Sequence, residues 1–369
     1  MLEQLTTAFE RKDYQTATKL LKHLLKESPE NPWVQFYLGR LYEVSSKYQK
    51  AETVYRQLLS STINTKILSQ ARQGLQRLQD IEQEKRKQAI LEATTADAHS
   101  AKLGVLVLEP ISNELRTQAA QKFAQIMQLD IYSARLLLPS RGWRLYRSGQ
   151  IGELKFYGKQ LRNADIPCFW ATLAEIQQIQ VFQVNYFQAS TPQVTVVCHN
   201  QANQLDSLSF DWSEVKGRVV GLLPIFEQVV DRDVRGRLER KTQTQDYFQF
   251  CDLHIPSKGC ILRLHDNGYD FQQGLEIAAQ ASQNTIAIHW NSLVSWLDKQ
   301  LLHVKARSDF TIFAQTVLEQ TEMLSQIQSH VHILRREPTN WDPAFHLYSS
   351  LIFLKTQPSL LTQKNLTIQ

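Results

Sequence analysis

The sequence predicts a multidomain α+β protein: an N-terminal α-helical array, a small α+β sandwich, an antiparallel β-rich domain and C-terminal helices. Three observations predict it. Aromatic, small and apolar residues recur near the N-terminus with a period of about 34 residues. From Leu103 the spacing changes from helical stripes to short apolar runs that alternate with helices. From Ile179 a succession of alternating segments reads as strands closed by one amphipathic helix.

The helical array rests on Asn31–Leu59, NPWVQFYLGRLYEVSSKYQKAETVYRQLL. Leu38–Gly39 and Tyr42 give a first helix bulk, a gap and bulk again, and Tyr48, Ala51, Tyr55 and Leu58–Leu59 do so for a second. Small residues there let paired helix axes approach. Tyr14, Ala17, Leu21 and Leu24–Leu25 precede the second set by one period of about 34 residues, and Ala8 precedes Tyr42 likewise. Pro29 ends the helix before it. These two copies resemble the tetratricopeptide repeat over about residues 1–61, with a third helix behind them. The sequence departs from the pattern at Gln35, where tryptophan is usual, at Ile63, where proline closes the repeat, and at Leu5, opposite Gly39 of the second copy. The resemblance implies paired antiparallel helices and a groove that holds a peptide or helix of a protein partner. Gln35, Arg40 and Glu43 are the candidate inner-face contacts. Lys66–Glu92 reads as a long closing helix, with Ile67, Ala71, Leu75 and Leu78 on one face and a charged outer half. Residues 1–92 therefore form the first predicted domain and 93–102 a linker.

The second, residues 103–176, runs strand, helix, helix, strand, helix, strand: Leu103–Pro110, Asn113–Leu129, Ile131–Ser140, Trp143–Gly149, Ile151–Asn163 and Cys168–Leu173. That order resembles the C-terminal domain of the ribosomal stalk protein L7/L12 and implies a small α+β module without implying an activity. It is also the most basic part of the chain. Arg135, Arg141, Arg144, Arg147, Lys155, Lys159 and Arg162 face only Glu153, with Trp143, Tyr146 and Tyr157 interleaved. Three readings stay open: a solvated face, a surface for an acidic protein partner centred on Arg141, Arg144 and Arg147, and a nucleic-acid platform of arginine and aromatic rings.

Residues 177–304 form the β-rich domain. Its strands are IQVFQVNYF, VTVVCHN, LSFDW, GRVVGLLPIFEQVV, DYFQFCDLHI and CILRLH, followed by the helix SLVSWLDKQLL with Leu293, Trp296, Leu297 and Leu301 on one stripe. Pro224 and Pro256 mark edges or bulges. Over about residues 205–302 this resembles a pleckstrin-homology barrel. Arg232–Lys241 joins two strands and carries five basic residues against Asp233 and Glu239, which suits a solvated loop or a contact with anionic head groups. CDLHIPSKGCILRLH places Cys251, His254, Cys260 and His265 at a loosely zinc-like spacing. Strand alternation opposes that, because it puts Cys251 and Cys260 on apolar faces and His254 and His265 on the others. A nucleophilic set of Cys251, His254 and Asp266 lacks any marked oxyanion site.

Residues 305–357 read as helices. Ser308 caps a long one with the stripe Ile312, Val317, Leu324, Ile327, Val331 and Leu334, and Asp342–Pro343 opens the last. These apolar stripes pack on the β-rich domain or back onto the repeats. His330 and His332 diverge on such a helix and do not pair on a metal. Residues 358–369 read as a frayed tail.

The 369 residues are 43% hydrophobic and 21% charged with a net charge of +5, the balance of a globular protein without a dominant nucleic-acid or membrane signal. Four sparse cysteines fit a reducing, cytoplasmic setting. The N-terminus shows no secretory pattern, and no apolar run approaches the roughly 18 residues that span a bilayer. No phosphate loop, paired-carboxylate site or nucleophile elbow occurs, and no cofactor is expected. The sequence thus predicts a non-enzymatic adaptor, a scaffold with protein partners. Its alternatives are a peripheral binder of anionic membrane or nucleic acid through residues 135–162 and 232–241, and a zinc protein or enzyme at Cys251, His254, Cys260 and His265. Over its length the chain resembles the glutamine-rich, multidomain repeat proteins of cyanobacteria.

Overall fold

Asp13 and Asn31 set the start of two of the first five helices. Asp13 Oδ1 accepts from the Thr16 amide at 3.1 Å and Asn31 Oδ1 from the Trp33 amide at 3.0 Å, which fills donors that a helix N-terminus leaves open. Pro32 follows Asn31 at the first helical position. The helices are α1 (Leu2–Glu10), α2 (Tyr14–Glu27), α3 (Pro32–Val44), α4 (Tyr48–Ser61) and α5 (Thr65–Thr95). The turns between α1 and α2 and between α3 and α4 repeat each other: Lys12 and Ser46 both take the left-handed φ of 57°. The computed structural model describes residues 1–96, 99–232, 237–277, 285–333 and 339–357, and the chain divides into two units, Met1–Glu92 and Ala93–Gln369.

The first unit has its own core of Leu5, Ala17, Leu21, Val34, Ala51, Tyr55, Ile67 and Ala71. Gly39 is the gap expected in α3, and the structure shows what fills it. A Cβ at Gly39 would lie 2.6 Å from Tyr55 Cε1, and a Cβ at Gly74 of α5 would lie 2.6 Å from Tyr55 Cε2. One tyrosine ring is therefore clamped between two helices that both lack a side chain there. Leu78 is the last fully buried apolar residue of α5, and the charged stretch beyond it is largely exposed.

The second unit begins with β1 (Leu103–Leu108), α6 (Arg116–Met127), α7 (Ile131–Leu137), β2 (Arg144–Gln150), α8 (Ile151–Asn163), β3 (Cys168–Thr172) and α9 (Leu173–Gln177). The three strands form an antiparallel sheet in the order β2-β1-β3, with the all-apolar β1 in its centre. Next come β4 (Gln180–Ala189), β5 (Val194–His199), β6 (Leu205–Phe210), β7 (Gly217–Arg232), β8 (Leu238–Ile255) and β9 (Cys260–His265). The chain ends with α10 (Ile286–Gln300), β10 (Ala306–Arg307), α11 (Phe310–Val317), α12 (Thr321–Leu324) and α13 (Trp341–Thr356).

The larger sheet has the order β10-β7-β8-β9-β4-β5-β6. The antiparallel barrel expected from sequence is corrected in two respects. β4 runs parallel to β9 and β10 parallel to β7, and among the described residues the end strands β6 and β10 do not pair, so the sheet is open. Pro224 sits in β7 beyond Val219, where the pairing with β10 has stopped, and a register shift follows at Ile225/Phe226. The edge position spares its missing N–H. The Arg232–Lys241 connection falls partly on 233–236, which lie outside the described residues, as do Leu334 and the tail from residue 358.

The inner part of this sheet is covered on both faces. Cys251, Leu253, Cys260 and Leu262 pack under α10 with Trp290, Leu293 and Leu297. On the other face, Val219, Leu223 and Phe250 share one core with α11, α12 and α13 and with Val105, Trp143, Leu145 and Phe169 of the smaller sheet. The boundaries drawn from sequence at 176 and 304 are both crossed by that core. The long helix expected from Ser308 is replaced by α11, α12 and an irregular stretch to Ile333, and Ile312 is exposed. The carbonyls of Ser329 and His330, which a continued helix would use internally, accept instead from Arg263.

Candidate partner-binding site

The inner-face residues predicted on α3 differ in what they touch. Gln35 Nε2 donates to the Pro29 carbonyl at 2.5 Å, tying the start of α3 to the turn before it. Glu43 is engaged on all sides. Arg77 of α5 donates from Nε to Oε1 at 2.7 Å and from Nη2 to Oε2 at 3.0 Å, and the Tyr55 hydroxyl donates to Oε2 at 2.8 Å. Glu43 and Arg77 stand 34 positions apart, one repeat period, so α3 and α5, at equivalent places one period apart, are joined by a bidentate ion pair. Burial pushes the Glu43 carboxyl up, but the Arg77 and Tyr55 hydrogen bonds and the Arg77 and Arg40 charges outweigh it and hold it below the ordinary value. Burial and the Glu43 charge push the Tyr55 phenol up. Arg40 lies beside this cluster, and its buried Nε has no hydrogen-bond partner among the described residues. Arg40 thus adds a second positive charge near the Glu43–Arg77 pair.

The basic stretch of the second unit is largely occupied by its own neighbours. Arg144 Nη1 donates to the Leu136 carbonyl at 3.2 Å, and Arg147 pairs with Glu153 at 3.2 Å and lies over the Tyr157 ring. Arg162 covers the Trp170 ring and donates to the Cys168 carbonyl. Arg135, Arg141 and Lys159 are exposed. Trp143 and Tyr157 are buried and Tyr146 packs against Phe123, so the interleaved aromatics offer no open row of rings for bases.

Cys251, His254, Cys260 and His265 do not converge. The cysteines belong to the core under α10, while His254 donates toward α13 and His265 stacks on Phe250. Among the described residues no three His, Cys, Asp or Glu side chains are placed to hold a metal. All four cysteines are free and buried. Burial pushes Cys168 and Cys198 up to about 11 and Cys260 up to about 12, and it raises Cys251 as well, so these thiols stay protonated at neutral pH. The set Cys251, His254 and Asp266 is likewise split, with Asp266 accepting from the Gln249 amide at 3.2 Å.

The polar face of β8 and β9 instead forms a buried network that alternation alone could not reveal. Arg263 donates to Asp252 from Nε at 2.9 Å and from Nη2 at 2.7 Å, with both side chains 0% exposed. Ser349 of α13 donates to Asp252 at 2.6 Å and accepts from His254 Nε2 at 2.9 Å. The serine proton points to the aspartate and the histidine proton to the serine, the reverse of a general base activating a hydroxyl. Among the described residues His254 Nδ1 has no hydrogen-bond partner, and Ser349 is fully buried. The sequence signal was present in Asp252 and Arg263 on inward-facing strands and in Ser349–Ser350 within an otherwise apolar helix. This network holds the core together and offers no access to a substrate.

Among the described residues no helix is long and apolar enough to cross a membrane. No curated protein and no solved structure matches the chain. A family model for the tetratricopeptide repeat matches residues 8–62, so the repeat pair in the first unit is of that kind.

Proposed function

We propose that the chain is a non-enzymatic, cytoplasmic adaptor whose repeat pair holds a segment of a partner protein. The observation that carries this reading is the tetratricopeptide match over residues 8–62, with an independent core in the first unit. Arg40, a half-buried charge beside the Glu43–Arg77 pair, is the side chain that contacts the partner, Gln35 contacts it at the start of α3, and Glu43 contributes by fixing Arg77. The ligand is held by hydrogen bonds and charge rather than by an apolar slot. Arg141, Arg144 and Arg147 supply a second, subsidiary protein contact in the other unit. The test compares full-length bait with its Arg40→Ala variant in quantitative affinity capture. A partner that is retained by the first, and lost from the second at equal helicity, supports the proposal. Identical recovery by both baits sinks it.

A further inference from the structure

A cavity of about 320 Å³ in the second unit is lined by one sign of charge. Lys216, Arg218, Lys305, Arg307 and Lys355 contribute to its wall with His303 beside them, and among the described residues no carboxylate does. The fold brings them together in two ways. Parallel pairing sets Ala306 against Arg218 and Arg307 against Val219, so the cations that flank β10 meet those at the start of β7. Lys355 arrives from the last turn of α13. Arg307 and Lys355 both lie over the buried Trp143 ring, at 4.7 and 5.4 Å from its centroid, which holds two cations at the wall.

Carboxylates outside the lining offset part of this charge. Asp298 accepts from Arg218, and Glu109 from Lys355. Lys216, Lys305 and Arg307 have no ion-pair partner among the described residues. Arg218 is 2% exposed, and among the described residues its one carboxylate partner is 62% exposed and its Nε has no hydrogen-bond partner. Like charges that are only partly offset repel one another, and a buried guanidinium with an unmet donor carries a desolvation cost. An anion in the cavity relieves both.

Size and shape narrow the ligand. The volume lies near the low end for ligand sites, which run from about 300 to 1,000 Å³, and suits a few phosphate-sized groups. The Trp143 ring is already covered by cations, so no aromatic face is left to stack a base. We propose that this cavity binds a small soluble polyanion of the phosphate class. Lys216, Lys305 and Arg307 are its charge-assisted donors, and Arg218 is the buried positive charge behind them. The site is in the other unit from the repeats and does not rest on the adaptor reading.

The probe is pyrophosphate, titrated calorimetrically into the full-length protein at constant ionic strength. Saturable one-to-one binding is expected. The Lys216→Ala/Lys305→Ala double variant, both positions being exposed, weakens it by about tenfold or more. Lys159→Ala, an exposed lysine of α8 away from the cavity, leaves it unchanged. A parallel arm uses vesicles of phosphatidic acid in phosphatidylcholine. The proposal is overturned if pyrophosphate gives no saturable binding, if the double variant binds as the parent does, or if the protein is retained on the vesicles and pyrophosphate does not compete.

Discussion

Asp252→Ala tests how the second unit is held together. Asp252 and Arg263 are both fully buried, and the aspartate is the only carboxylate that Arg263 touches among the described residues. Its removal strands a guanidinium whose remaining bonds go to the Ser329 and His330 carbonyls, and it strips Ser349 of its acceptor. Breaking one side of a buried pair costs about 3–5 kcal/mol, mostly because an uncompensated charge stays behind. Asp252→Ala/Arg263→Met removes that charge and is expected to recover at least about 1 kcal/mol of the loss. Six of the seven tryptophans lie in this unit, with Trp33 the exception, so tryptophan fluorescence during denaturant unfolding follows it selectively. The reasoning fails if Asp252→Ala costs under about 1 kcal/mol or if the double variant is no more stable than the single one.

Acid should destabilise the same unit. Burial pushes His254, His265 and His330 down to about 4, with Arg263 adding to each against the upward pull of Asp252 on His254, and it holds His346 well below the usual range. These folded values lie below the ordinary 6.5, so the unfolded chain binds more protons between pH 6.5 and about 4 and stability falls as pH drops through that window. At pH 5.5 the loss is about 1 kcal/mol for each of His254 and His265, read from urea midpoints across pH, and a flat profile would contradict it. In the first unit, Gly39→Ala and Gly74→Ala each drive a methyl into the Tyr55 ring, and each should cost about 1–3 kcal/mol by far-ultraviolet circular dichroism. Glu43→Gln weakens the bidentate Arg77 bond and should lower the same transition by about 1–2 kcal/mol, while Glu52→Gln, on the exposed pair with Arg56, should change it little.

The repeat pair was legible because its register is fixed by residue size. Gly39, Ala51 and Tyr55 are held to one spacing by helices that nearly touch. The strands from Ile179 were legible by alternation, and it placed Cys251 and His254 on opposite faces as the structure has them. Alternation does not say what covers the polar face. There α13 buries Asp252, Arg263 and Ser349, whose charges and hydroxyl neutralise one another only in three dimensions. The early part of β8 was missed because Leu238–Thr244 pairs with β7 while remaining largely exposed, so no face selects apolar residues. The stretch after α12 misled because Ile327 is buried at helical spacing, yet Arg263 claims the backbone carbonyls just beyond it. Glu43 looked like a free contact in sequence, and only the pairing of α3 with α5 shows Arg77 filling it.

The adaptor reading is tested most directly by quantitative affinity capture with full-length bait carrying Arg40→Ala and Gln35→Ala, against the unsubstituted chain and against Lys216→Ala/Lys305→Ala. The account expects at least one protein to be lost with the first pair of substitutions and kept with the second, at unchanged helicity. A recovered set that is the same for all three baits would contradict it.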